Sequence, residues 1–353
     1  MNIPGADTDL HRRIADFALR TLALPPETPL QLTPIARGGS DRMFYRLSCR
    51  IECESRVAPM EVGGEYSVIV MHYNQDNRED TVYAEIADFL LALRVAAPTI
   101  LAHDPKDCFV VMEDLGREDL WSYRNEQWIT RRGFYMRTLM HANRLHRYFQ
   151  DDGGVQPPEM MNGYDMSLYR WERKYFLEEF VGPVCGISLS PEEEGALEEE
   201  GAALARRLML SGEGLIHRDL QSQNIMIHEL APVLIDFQGM RKGSPFYDLG
   251  SLLYDPYVSL TPDERLELLE LYYSLSPRDI PWEDFVTLFY EGSAQRLMQA
   301  LGAYGFLGLR KGKAAFLAHI PNGLRNLLDA ASRVSSLPCL QDLAARCLAT
   351  LKH

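Results

Sequence analysis

The stretch His217-Arg218-Asp219-Leu220-Gln221-Ser222-Gln223-Asn224 limits what this chain can become more than any other part of it. It runs on into the apolar Ile225-Met226-Ile227 and is followed by Val233-Leu234-Ile235-Asp236. An aspartate, an asparagine five residues later and a second aspartate closing an apolar strand must therefore be held together by one loop and short strands. Phosphoryl transfer from ATP needs those groups on a rigid support: one carboxylate takes the proton of the attacking hydroxyl, while an amide oxygen and another carboxylate hold magnesium on the phosphates. Asp219 is the candidate base, and Asn224 and Asp236 are the candidate ligands of Mg2+, a hard cation that demands oxygen donors. His217 reads as a structural residue shaping the loop. In Tyr247-Asp248-Leu249-Gly250-Ser251-Leu252-Leu253 the leucines share a helix face and Asp248 falls in the first turn, where a carboxylate is favoured; it is expected to brace the loop.

At 353 residues the chain suits two domains or one bilobal unit. A net charge of −14 argues against a nucleic-acid partner, because no basic face matches a phosphate backbone. Six scattered cysteines, without a CxxC pair or zinc spacing, read as reduced thiols. The sequence has neither an apolar run of membrane-spanning length nor a signal-peptide pattern. The expectation is a cytoplasmic protein with no membrane partner, a monomer or weak homodimer.

Residues 8–22 have helical spacing, ended by Pro25-Pro26. Strands are predicted at 30–36, 43–51, 66–73, 99–102 and 108–112, with a helix at 79–94. Beyond that the pattern turns helical, at 128–149, 164–180 and after the capping signals Ser190-Pro191-Glu192-Glu193 and Thr261-Pro262-Asp263-Glu264. The glutamates of 192–200 read as a solvated helix face. This predicts an α+β chain with a five-stranded antiparallel small lobe carrying one inserted helix, residues 1–113 with the N-terminal helix, and a larger, mostly helical lobe, residues 114–353.

Gly38-Gly39-Ser40-Asp41-Arg42 lies between two predicted strands, where glycines would let backbone N–H groups approach phosphate oxygens. The first lysine is Lys106, so the third strand, Val68-Ile69-Val70-Met71, ends in methionine where protein kinases carry a phosphate-binding lysine. Arg42 and Arg46 are the nearest substitutes, since arginine forks onto phosphate oxygens. Val110-Val111-Met112-Glu113-Asp114-Leu115-Gly116 runs from an apolar strand into a polar link, where backbone groups near Met112 and Glu113 could bond adenine.

Taken together, Ser40–Arg46, Val111–Gly116, His217-Arg218-Asp219, Asp236-Phe237-Gln238, Tyr247–Leu253, Gln295–Gly302 and Phe316–Pro321 resemble the aminoglycoside phosphotransferase-like branch of the protein-kinase fold. Within it the chain looks most like the anomeric N-acetylmuramate and N-acetylglucosamine kinases. The resemblance implies an ATP- and Mg2+-dependent sugar 1-kinase of cell-wall recycling, with Asp219 as base and Asn224 and Asp236 on the metal. Glu172 and Arg241 are candidates for gripping the sugar. The alternatives are a kinase of an aminoglycoside or amino alcohol, whose cationic acceptor calls for carboxylates, and a non-catalytic nucleotide-binding module.

Overall fold

A computed structural model of the chain describes residues 8–35, 42–50, 64–151, 154–275 and 280–351. The chain divides into two compact units: Met1–Ala92 with Ala97–Gly116 and Pro157–Glu159, and Leu93–Ala96 with Arg117–Gln156 and Met160–His353.

The first unit opens with helix α1 (Thr8–Thr21), followed by β1 (Leu30–Ile35), β2 (Met43–Arg50) and β3 (Glu65–His72). Helices α2 (Arg78–Thr81) and α3 (Tyr83–Ala92) and strands β4 (Ile100–Asp104) and β5 (Phe109–Glu113) complete it. The five strands form one antiparallel sheet in the order β1-β2-β3-β5-β4. Alternation sets its faces. Tyr45, Leu47 and Cys49 of β2, Val68 and Val70 of β3, and Phe109 and Val111 of β5 pack with Ile14, Phe17 and Ala18 of α1. The opposite parity holds Met112, whose sulfur receives the Tyr83 hydroxyl of α3 at 3.7 Å. With side chains buried on both parities, Val68–Met71 reads as an unbroken apolar run, as covered strands do. The helix predicted at 79–94 is divided at Val82: α2, capped by Asn77 through the Glu79 N–H, ends there with Asp80 buried beside Arg42, and α3 begins at Tyr83.

In the second unit the long helix α4 (Trp128–His146) and α5 (Met166–Phe176) precede α6 (Pro191–Leu210). The short strands β6 (Gly214–Ile216), β7 (Ile225–His228), β8 (Ala231–Leu234) and β9 (Arg241–Gly243) follow, pairing as β6-β9 and β7-β8. The remainder is helical: α7 (Pro245–Leu253), α8 (Pro262–Ser274), α9 (Trp282–Gly305), α10 (Ile320–Ser332) and α11 (Pro338–Thr350). Both predicted capping boxes are formed, Ser190 with Glu193 and Thr261 with Glu264, each leaving two helix N-terminal donors satisfied. The acidic run of α6 is more than a solvated face. Glu200 accepts the N–H groups of Cys339 and Leu340 at the start of α11, and Glu198 pairs with Arg170 at 2.9 Å.

Helices α7 and α9 cross where each offers the other a glycine. A Cβ on Gly250 would stand 2.5 Å from Ser293 Cα, and one on Gly292 would stand 2.7 Å from the Phe246 carbonyl carbon. That contact brings the Gln295-Arg296 turn of α9 up to the loop that follows β6. No helix among the described residues is long and apolar enough to cross a membrane.

Candidate active site

The loop after β6 is held from beneath by a buried carboxylate. Asp248 of α7 accepts the backbone N–H of His217 at 2.7 Å and of Arg218 at 2.8 Å, and His146 Nε2 lies 3.1 Å from its Oδ2. Asp255 does the same further along, taking the N–H of Ser222 at 2.7 Å and of Tyr257 at 2.9 Å. Burial pushes the Asp255 carboxyl up from its ordinary value, against those hydrogen bonds. His217 is fully buried, its Nε2 3.0 Å from the carbonyl of Ile235, so it ties the loop to the residue before Asp236. Arg218 has φ +77° and Asp236 φ +63°. Left-handed backbone costs an L-residue roughly 1–2 kcal/mol, and both instances sit beside candidate catalytic groups.

Asn224 joins the three predicted polar residues. Its Nδ2 donates to the Asp219 carbonyl at 2.9 Å, and its own carbonyl accepts the Ile235 N–H at 3.0 Å. A carbonyl can only accept, so the amide must turn its nitrogen that way; its Oδ1, without a hydrogen bond among the described residues, is left as the outward donor atom. An amide oxygen and a carboxylate such as that of Asp236 are the donor types that a hard cation takes. Gln238, which stands where protein kinases carry glycine, donates to Asp236 Oδ1 at 3.0 Å; the positive φ falls on Asp236 instead.

Asp219 has a partner that sequence reasoning missed. Arg296 Nη2 lies 3.1 Å from Asp219 Oδ1; its side chain is 6% exposed and that of Asp219 31%. Burial works against the Arg296 charge, but the Asp219 carboxylate together with Tyr247, Tyr304 and Glu172 outweighs it, and the guanidinium titrates above its ordinary range. The only signal in the sequence was that Gln295-Arg296 opens one of the segments that carry the family resemblance, which by itself names no partner.

Glu172 and Arg241 lie deeper than an acceptor-gripping role would suggest. Glu172 is fully buried and takes the Tyr164 and Tyr247 hydroxyls on Oε1 at 2.7 and 2.8 Å and Gln295 Nε2 on Oε2 at 3.0 Å. Burial raises its carboxyl above the ordinary value despite those donors. Arg241, in β9, donates Nε to the Gly239 carbonyl at 2.9 Å, with its guanidinium 5.9 Å from the Tyr164 ring centre.

In the first unit, Arg46 is engaged by Asp114: Nε and Nη2 donate to its two oxygens at 2.6 and 2.8 Å, and Nη2 also reaches the Gly116 carbonyl. Arg42 Nε stands 3.6 Å from Asp80 Oδ1, both side chains nearly buried. Met112 is paired with Ile69 and Ile100 inside the sheet, and the Glu113 N–H donates to the Thr99 carbonyl at 2.9 Å. Gly38, Gly39 and Ser40 lie outside the described residues.

The model of the phosphotransferase enzyme family matches residues 31–286, and the chain belongs to that family. Its five-stranded sheet and helical remainder are the family's protein-kinase-like fold, and it is a phosphotransferase. Among curated proteins it is similar to the N-acetylmuramate/N-acetylglucosamine kinase of Pseudomonas aeruginosa, 25% identical over 335 residues that cover 90% of this chain and 88% of that one. The protein of the same description from Neisseria meningitidis is 25% identical over 325 residues, covering 90% and 91%. Among solved structures, a microcompartment-associated aminopropanol kinase aligns with TM-score 0.57 at 20% identity, over 94% of this chain and all of that one. An ADP-bound aminoglycoside phosphotransferase aligns with TM-score 0.53 at 11% identity, over 92% and 99%.

Proposed function

We propose that the protein is an ATP- and magnesium-dependent kinase of an amino sugar of the N-acetylmuramate/N-acetylglucosamine type, phosphorylating its anomeric hydroxyl in cytoplasmic cell-wall sugar recycling. The observation that carries this reading is the Asp219 carboxylate: one oxygen is held by Arg296 and the other has no partner among the described residues, while Asn224 joins the Asp219 backbone carbonyl to Ile235, the residue before Asp236. In this reading Asp219 receives the acceptor proton on Oδ2, while Arg296 and the Asp248 clamp keep the carboxylate in place. Asn224 and Asp236 would hold magnesium, which when bound draws charge from the phosphate oxygens. Residues 1–113 would bind the nucleotide, with Gly38, Gly39, Ser40 and Arg42 at the phosphates and the backbone near Met112 and Glu113 at adenine; residues 114–353 would carry catalysis and the acceptor.

Two observations favour a sugar over a cationic amino alcohol or aminoglycoside. The sugar kinases match across about nine-tenths of the chain at 25% identity, whereas the aminopropanol and aminoglycoside enzymes share the fold at lower identity. A cationic acceptor calls for carboxylates, yet Asp219 is flanked by Arg218 and Arg296, and the buried Glu172 is already taken up by two tyrosines and a glutamine. Glu172 and Arg241 would then shape the acceptor site through Tyr164.

The test is an ATP-coupled screen of N-acetylmuramate, N-acetylglucosamine, aminopropanol, choline and an aminoglycoside, with the phosphate located by 31P NMR. A 1-phosphate of an N-acetyl sugar is expected. Asp219→Ala should lower kcat by about 10²–10⁴-fold, the usual worth of a positioned base. Preferential turnover of a cationic acceptor would overturn the sugar assignment, and an active Asp219→Ala enzyme would overturn the role of the base.

A further inference from the structure

We infer that Arg296 is the positioning residue of the phosphoryl-transfer step: it fixes which oxygen of Asp219 takes the acceptor proton. The inference rests on the reading of Asp219 as base. Arg296 is 5% exposed and lies on α9, 77 residues from Asp219 in the chain. Its donors are distributed over three elements. Nε reaches Ser251 Oγ of α7 at 3.3 Å, Nη1 reaches Gln299 Oε1 of its own helix, and Nη2 reaches Asp219 Oδ1 at 3.1 Å and Gln221 Oε1 at 3.4 Å. A planar guanidinium held at each edge cannot follow a rotating carboxylate; the carboxylate must conform to it.

The arginine is buried while almost a third of the Asp219 side chain remains exposed, so the held carboxylate still presents an oxygen outward. The glycine crossing of Gly250 and Gly292 lets α9 come close enough for this contact.

In the step itself, the acceptor O–H proton passes to Asp219 Oδ2 as the new O–P bond forms. The bond between the γ-phosphorus and its bridging oxygen breaks, and its electron pair leaves with the nucleoside diphosphate. Without Arg296 the carboxylate turns about its last torsion and the open oxygen spends less time facing the acceptor. Misplacement of about 1 Å in such a geometry costs on the order of 10²-fold in rate.

The experiment compares full-length wild type, Arg296→Gln, Arg296→Lys, Asp219→Asn and the Arg296→Gln/Asp219→Asn double variant. Turnover is followed with ATP and N-acetylmuramate, and ADP release with water as acceptor is read in parallel. Arg296→Gln is expected to lower kcat by about 10–100-fold while both KM values stay within about 3-fold, since the contact orients a group without binding either substrate. Arg296→Lys should recover part of the loss. In the Asp219→Asn background the same change should cost less than about 3-fold, because the group that Arg296 positions has already been disabled.

An unchanged kcat in Arg296→Gln overturns the inference. So does an equal loss in both backgrounds, which would mark a role independent of Asp219. If Arg296→Gln fails to fold, Arg296→Lys decides on the same split between kcat and KM. A wild type that turns over neither acceptor removes the underlying reading and this inference with it; an active wild type with an insensitive Arg296 removes only the inference.

Discussion

Two buried carboxylates in this molecule do opposite work. Asp248, in the second unit, spends its oxygens on the backbone N–H groups of two consecutive residues, His217 and Arg218, and so sculpts a loop. Asp114, in the first, spends its oxygens mainly on a side chain: Arg46 donates twice, and Ser67 Oγ and the Gly116 N–H complete the set. One carboxylate organises main chain, and the other takes up a cation that the sequence had offered to phosphate. A buried acid therefore says little until its donors are known. Backbone donors make it a scaffold for its neighbours, whereas a guanidinium makes it a local sink of charge.

The comparison can be broken most directly at Asp248. Asp248→Ala orphans two buried N–H groups, each worth about 1–3 kcal/mol when left unsatisfied. The thermal midpoint should fall by about 3–8 °C, since roughly 2.1 cal/mol/K of unfolding entropy per residue makes each kcal/mol worth about 1.3 °C in a chain of 353 residues. Asp248→Asn, which keeps one acceptor oxygen, should fall between the two. If calorimetry found Asp248→Ala as stable as the wild type, the clamp would not be what holds the loop.

Arg46→Met should cost less, about 3 kcal/mol, because it strips a buried carboxylate of its main partner but leaves two others. Its signature lies in pH dependence. Burial alone would raise the Asp114 carboxyl, but the hydrogen bonds from Arg46, Ser67 and Gly116 and the Arg46 charge outweigh it and hold it below its ordinary value. A depressed folded value contributes stability above the unfolded carboxylate range, lost as pH falls below about 4. In Arg46→Met burial should prevail and the sign should reverse, so the variant gains on the wild type as pH drops. Parallel midpoint-versus-pH curves would contradict this account of Asp114.

Glu172→Gln should have the smallest effect, within about 1 kcal/mol at neutral pH, because the isostere keeps an acceptor for both tyrosines. Gln295 Oε1 has no hydrogen-bond partner among the described residues, so a turn of that amide can meet the new Nε2. With its folded value raised by burial, Glu172 contributes stability below the ordinary carboxylate range, and that contribution is lost as pH rises through the folded value. Glu172→Gln should therefore gain on the wild type with rising pH. A large loss instead, seen by thermal unfolding, would mean that the ionised carboxylate itself is required.

Much of the frame was legible because its causes are local. The apolar alternation of β2, the covered run of β3 and the capping boxes at Ser190 and Thr261 depend on residues a few positions apart. The helix read as 79–94 was not legible as two, since nothing in its apolar spacing marks Val82 as a break, and the burial of Asp80 against Arg42, 38 positions earlier, is no local signal either. The site divided along the same line. The Asp219–Asn224 spacing is set within one loop, and the amide that joins them needs no distant help. The occupancy of Arg46 by Asp114 and the depth of Glu172 could not be read, because each is settled by partners far along the chain.

By itself the sequence determined the order of elements, the loop that groups Asp219 with Asn224, and the strand that delivers Asp236, all through short-range periodicity, capping and spacing. Only the tertiary structure decided how the charges are paired: Asp248 under the loop, Asp114 on Arg46, Arg296 on Asp219. The physical reason is that a charge buried in a protein must be met by an opposite charge or by hydrogen-bond donors, and packing of distant helices, here across the Gly250–Gly292 contact, chooses which partner arrives.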